Sequence, residues 1–239
     1  MEVKHVLYIN LQHRTDRKES VIQQLSSIDI SGTRFNAIKM KDGRVGCTLS
    51  HIKCLEIAKK NNWDHVLIVE DDILFTQPEK FKYQFKRFII NKNINWDVLL
   101  FAGNNLPPYE KTTNYCVKVS YCQTTTGYLV KSHYYDVLIK NFKEGLLHLM
   151  KQPTQHIKFA IDKYWLQLQK KDNWYLIVPL SVVQLDGFSD IENKNVNYYK
   201  NAMLDLDKKG YFSRRNERKD LVTKMVQQNN LRYRMNDLF

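Results

Sequence analysis

Val66-Leu67-Ile68-Val69-Glu70-Asp71-Asp72 constrains this chain more than any other stretch. Four consecutive apolar residues offer no polar face to water, so they predict a strand covered on both sides, as in a mostly parallel sheet flanked by helices. The run ends in three adjacent carboxylates. In open α/β sheets, ligands gather beyond the carboxyl ends of the strands. Clustered carboxylates repel one another unless a cation or hydrogen-bond donors balance them. Oxygen ligands of this kind suit Mg²⁺ or Mn²⁺, ions that usually also take oxygens from a substrate phosphate. Helix capping by Asp71 or Asp72 accounts for the same residues equally well at this point.

Upstream, Val6 to Leu11 reads as a first buried strand, followed by a polar turn in which Thr15 or Asp16 caps a helix carrying Val21, Ile22 and Leu25. Strand, tight turn and helix open a nucleotide-binding βα unit. Neither the dinucleotide fingerprint nor the P-loop is present, however. Arg14 and Arg17 are placed to meet a diphosphate or a base, or simply to face solvent. Arg34-Phe35-Asn36-Ala37-Ile38 predicts a short second strand. Thr48 is expected to cap a helix beginning at Leu49, which would put Ser50 and His51 in its first turn, where backbone N–H groups favour an anion.

Downstream, Glu79 to Ile90 reads as a basic amphipathic helix and Trp96 to Phe101 as another strand. That strand ends in Ala102-Gly103-Asn104-Asn105, small and amide residues suited to sugar hydroxyls or to an ordinary turn. Thr124 to Val130 predicts a strand entering the core, with Ser132 capping the next helix. Phe159 to Leu166 begins a helix with Asp162 near its first turn, and Trp174 to Val178 is a late strand.

The net charge of +12 implies attraction to something anionic: nucleic acid, a membrane surface or a phosphorylated small molecule. No RRM, zinc-finger or helix-turn-helix signature accompanies it, and the charge is spread rather than striped, so no nucleic-acid partner is expected. Cys47, Cys54, Cys116 and Cys122 lack CxxC spacing, which predicts reduced thiols rather than a structural zinc. The start of the chain has no basic segment leading into an apolar one, and no apolar run reaches transmembrane length, so a cytoplasmic location is expected.

Six blocks together resemble glycosyltransferase family 25, which includes lipopolysaccharide-type and collagen hydroxylysine galactosyltransferases. The first is Ile9-Asn10-Leu11 with Arg14, Asp16 and Arg17; the second is Gly46-Cys47-Thr48-Leu49-Ser50-His51. Val69-Glu70-Asp71-Asp72, Thr126-Gly127-Tyr128 and Ile161-Asp162 follow, then Gln184 with Gly187-Phe188-Ser189-Asp190-Ile191. They occur in the family's order. Asp186 departs from it, standing where a small polar residue is usual.

The resemblance implies a GT-A-like α/β fold in one domain over residues 1–192, with 193–239 a basic helical extension. It implies a UDP-sugar donor (galactose or glucose, with N-acetylglucosamine also considered), a divalent metal, Mn²⁺ or Mg²⁺, and inversion at the anomeric carbon. Acceptors in keeping with it are a glycan, a lipid-linked saccharide or a collagen-like protein; a homodimer is a further expectation. Asp72, then Glu70, with Gln184 completing the set, are the expected metal ligands. Asn10, Arg14, Arg17, Ser50, His51, Asp71 and Gly127 are assigned to the nucleotide-sugar. An inverting transfer needs a base facing the acceptor hydroxyl; Asp162 is the first candidate, Asp190 the second and Asp186 the third. A nucleic-acid-binding protein and a catalytically silent sugar-nucleotide-binding relative are the alternatives.

Overall fold

The computed structural model describes residues 2–189, 191, 194–196 and 203–208. Strands along the chain are β1 (Val6–Asn10), β2 (Thr33–Asn36), β3 (His65–Glu70), β4 (Ile73–Phe75), β5 (Val98–Leu100), β6 (Asn104–Asn105) and β7 (Tyr109–Lys111). They continue as β8 (Cys116–Val119), β9 (Cys122–Gln123), β10 (Gly127–Lys131), β11 (Trp174–Ile177), β12 (Val182–Gln184), β13 (Gly187–Ser189) and β14 (Lys194–Val196). The helices are α1 (Thr15–Ser26), α2 (Gly43–Lys60), α3 (Pro78–Ile90), α4 (Tyr135–Lys151) and three single turns, α5 (His156–Phe159), α6 (Ile161–Tyr164) and α7 (Leu166–Gln169).

One eight-stranded sheet, in the order β2-β1-β3-β10-β5-β11-β8-β7, divides the molecule into two layers. Only β8 and β10 run against the common direction, so the sheet is mixed but mostly parallel. The pleat of β3 explains why its sequence is apolar without interruption. Val66 and Ile68 join a core with Ile52 and Leu55 of α2 and Leu138 and Phe142 of α4. Leu67 and Val69 point the other way, into a core with Val21 and Leu25 of α1 and Phe81 and Phe88 of α3. Successive side chains of a strand alternate between faces, so both must be apolar when helices cover both. This is the GT-A-like α/β arrangement expected from the sequence, in a single domain.

Three local expectations change. Helix α2 starts at Gly43, with Asp42 as its cap accepting from the Arg44 N–H at 2.9 Å. Thr48 does not cap; its hydroxyl donates to the Arg44 carbonyl one turn back. Ser50 and His51 therefore lie beyond the first turn, away from the free N–H groups. The sequence hides this start because Gly43 and Gly46 are poor helix formers. Packing overrides propensity here: a Cβ at Gly46 would stand 2.4 Å from the Ile38 carbonyl oxygen, so glycine is what lets α2 press against the chain after β2.

Helix α1 begins at Thr15 with no side-chain cap, and Asp16 forms a two-pronged pair with Arg14 instead. The helix expected from Phe159 is interrupted at Ala160, whose extended backbone (ψ 149°) separates α5 from α6. The extension expected over 193–239 lies outside the described residues except for 194–196 and 203–208. Among the described residues, no helix is long and apolar enough to cross a membrane.

Candidate active site

The ends of β1 and β3, the first turns of α2 and the β13 hairpin enclose a cleft of about 180 Å³. Ile9, Arg17, Met40, Cys47, Glu70, Asp71, Asp72 and Ser189 are among the residues that line it. The acidic triad thus opens onto a cavity at the carboxyl edge of the sheet, where an α/β fold binds its ligands.

The three carboxylates have different surroundings. Asp71 is tied down: Asn10 Nδ2 donates to it at 2.7 Å and Arg17 at 3.1 Å. Burial nevertheless raises its carboxyl above the ordinary value, with the Asn10 and Arg17 contacts offsetting only part of the rise. Glu70 accepts three bonds on a single oxygen, Oε1: from Thr125 at 2.8 Å, His51 Nε2 at 3.2 Å and the Cys47 thiol at 3.6 Å. Burial would raise this carboxyl, but the His51, Thr125 and Cys47 bonds hold it below the ordinary value.

Asp72 is the least compensated of the three. Its Oδ1 is buried and has no hydrogen-bond partner. Its Oδ2 has Gln184 Nε2 at 3.5 Å and Arg17 at 3.8 Å. Burial and then the charge of Glu70 push its carboxyl well above the usual range. Pairing of β12 with β4 brings Gln184 here, and the Leu185 N–H bonds the Asp72 carbonyl.

Asp162, on α6, accepts the Thr124 N–H at 3.2 Å and has Lys163 at 3.8 Å. Burial raises its carboxyl, and the Glu70 charge adds to the rise, so the two acids sense one another across the site. Three consecutive residues connect them. Thr125 holds the Glu70 side chain, the Thr126 carbonyl accepts the Glu70 N–H, and Thr124, strained at φ 78°, holds Asp162.

Other expected residues sit differently. Asn10 is 1 % exposed and fully engaged, its amide also accepting from Arg34, so it positions Asp71 from beneath. Arg14 bonds Asp16, which it holds down at about 2. Arg17 lines the cleft and also donates to the Phe188 carbonyl at 2.8 Å, fastening the β13 hairpin. Ser50 commits its hydroxyl to the Ile38 N–H and the Gly46 carbonyl. His51 is among the residues lining the cleft, its ring fully buried and both ring nitrogens engaged. Gly127 packs behind the rim against Val69, Ile73 and Phe101. Asp186 is exposed, and Asp190 lies outside the described residues.

Sequence reading passed over Cys47, Thr125 and Tyr128 as site residues. The one local signal was the spacing of Cys47 and His51, four apart on one helical face. Thr125 and Tyr128 arrive only through the pairing of β10 with β3.

A family model described as "Glycosyltransferase family 25 (LPS biosynthesis protein)" matches residues 39–165, more than half of the chain. A glycosyltransferase 25 family member from Anopheles gambiae is 23% identical over 163 residues, and one from Aedes aegypti is 24% identical over 168. Each match takes in 54% of this chain and 27% of the relative, so the chain spans about a quarter of the curated relatives' length. Among solved structures, a glycosyltransferase involved in glycosylation of the major capsid of PBCV-1 is similar over 72% of this chain and 92% of its own, at 13% identity and a TM-score of 0.40. The family match runs from the loop before α2 through the triad to α6, taking in part of the cleft lining and Asp162, and the protein belongs to glycosyltransferase family 25.

Proposed function

We propose that the protein is a metal-dependent, inverting glycosyltransferase that moves a hexose from a UDP-sugar to an acceptor hydroxyl. The observation that carries this reading is Asp72 Oδ1, a buried carboxylate oxygen without a partner beside a cleft and beside a second carboxylate. A buried anion left so incompletely compensated is costly, and a divalent cation ligated by oxygen relieves it. The donor set fits Mn²⁺ or Mg²⁺: Asp72 first, with the Glu70 carboxylate and the Gln184 amide beside it.

When bound, such an ion neutralises the charge that develops on a departing nucleoside diphosphate. The chain's own residues do the rest. Arg17, at the edge of the cleft, supplies a fixed positive charge for the diphosphate side, and Asn10 keeps Asp71 oriented. Asp162 holds the proton of the acceptor hydroxyl; its raised carboxyl makes it a better proton acceptor than an ordinary aspartate. Galactose or glucose is the proposed hexose, with N-acetylglucosamine a further candidate. A glycan, a lipid-linked saccharide or a collagen-like protein supplies the hydroxyl.

A screen of UDP-sugars for Mn²⁺-dependent donor hydrolysis tests the proposal. Cleavage of one UDP-hexose supports it. No cleavage across the panel, with UDP still bound, would point to a silent relative, and salt-sensitive duplex binding without UDP binding to a nucleic-acid role.

A further inference from the structure

Behind Glu70 lies a buried chain of polar groups that the transfer reaction itself does not call for. Tyr128 Oη lies 2.9 Å from His51 Nδ1, and His51 Nε2 lies 3.2 Å from Glu70 Oε1. Both rings are completely buried and face each other at 5.7 Å. Burial raises the Tyr128 hydroxyl well above its ordinary value, so it stays protonated. The Cys47 thiol is likewise pushed well up, by burial and by the Glu70 charge, and donates as a thiol. Ionised Glu70 can only accept. Nε2 therefore meets Glu70 as the donor, and the Tyr128 hydroxyl holds the ring from its other nitrogen.

We propose that His51 is a positioning residue, held by Tyr128 so that its Nε2–H meets Glu70. With Thr125 and Cys47 it pins Glu70 by one oxygen and leaves the other for a cation in the cleft. Glu70 Oε2 makes no hydrogen bond among the described residues. Partners of this kind, standing behind a ligating carboxylate, typically govern metal affinity by about 10–100-fold. The inference rests on the metal-dependent reading above. It assigns roles to Tyr128, Thr125 and Cys47, and it moves His51 from contact with the nucleotide to support of the carboxylate. The geometry also admits a rival: Cys47 Sγ, His51 Nε2 and Glu70 Oε1 lie within 4.8 Å of one another, close enough to hold a zinc ion themselves.

The test combines ring spectroscopy with binding of Mn²⁺ alone. Two-bond ¹⁵N–¹H spectra of the histidine-labelled protein, with His51 assigned by its loss in His51→Gln, should show one ring state with a proton on Nε2. In Tyr128→Phe that signal should become a mixture of states. By electron paramagnetic resonance, His51→Gln, which keeps an N–H donor, should hold Mn²⁺ within about threefold of wild type, while His51→Ala weakens it about tenfold or more. Thr125→Val, a milder change, should weaken it where Thr125→Ser does not.

A ring protonated at Nδ1 alone, stoichiometric zinc in the purified protein, or equal Mn²⁺ affinity in all the folded variants would each overturn the proposal. A wild type that binds no Mn²⁺ and cleaves no UDP-sugar would instead retire the transferase reading, and the ring spectrum alone would then decide the relay.

Discussion

Replacing Asp72 by Asn should stabilise the free protein and abolish its response to metal. The Asp72 side chain is 14 % exposed, one oxygen has no partner, and its closest cation, Arg17, stands at 3.8 Å while already bonded to Asp71 and Phe188. A buried charge with so little compensation costs on the order of a few kcal/mol; allowing for the Arg17 contribution, relief of about 1–3 kcal/mol is expected from removing it. For a chain of this size each kcal/mol moves Tm by about 2–4 °C, so Asp72→Asn should melt roughly 2–12 °C above wild type without metal.

Saturation reverses the order. A ligand at a thousand times its Kd adds about 4.1 kcal/mol to a protein that binds it, more than the variant's advantage. With Mn²⁺ and UDP present, wild type should overtake a variant that has lost a ligand.

The pH dependence has a definite sign. A carboxyl whose folded-state value lies above its unfolded value, about 3.9 for aspartate, binds its proton more tightly when folded. Its destabilising effect is absent below pH ~4 and grows as the pH rises through the folded value. The advantage of Asp72→Asn should therefore fade on acidification. Differential scanning calorimetry at neutral and acidic pH, with and without Mn²⁺ and UDP, reads all of this. A variant that melts at or below wild type in the metal-free neutral sample would refute the claim that Asp72 is left uncompensated.

Three further outcomes follow from the same geometry. Asp162→Asn should keep Mn²⁺-dependent UDP binding by calorimetry but lose about 10²–10⁴-fold in transfer rate; turnover like that of wild type would remove it as the base. Gly46→Ala, whose new carbon would meet the Ile38 carbonyl at 2.4 Å, should cost about 1–3 kcal/mol in urea titration and weaken UDP binding, because the displaced loop lines the cleft. Gly103→Ala should destabilise by a similar amount, since its Cβ would stand 2.1 Å from the buried Cys122 sulfur, and Cys122→Ala in the same chain should restore most of the loss.

What could be read from sequence follows from how local the causes are. β3 and its acids were legible because four apolar residues and three carboxylates are adjacent in the chain. β1, α1 and α3 show their periodicity within single windows, and Pro78 marks the α3 start in the way proline does at first helical positions. The start of α2 was not legible, since two glycines argue against helix there and only the close approach to Ile38 explains them. The surroundings of Glu70 were equally hidden. Thr125 is 55 residues from it, and sheet pairing alone brings the two together.

Strand β10 has one consequence for how the rim can change. Because it runs backwards between β3 and β5, the sheet's ligand edge receives the beginning of a strand as well as the ends of its neighbours. Alterations in the chain just ahead of Gly127 are therefore passed, through three threonines, to Glu70 and Asp162 together. Alterations just beyond Lys131 emerge at the far side of the sheet, beside His65. One short piece of backbone thus sets the distance between Glu70 and Asp162, and lengthening it by a single residue would disturb both.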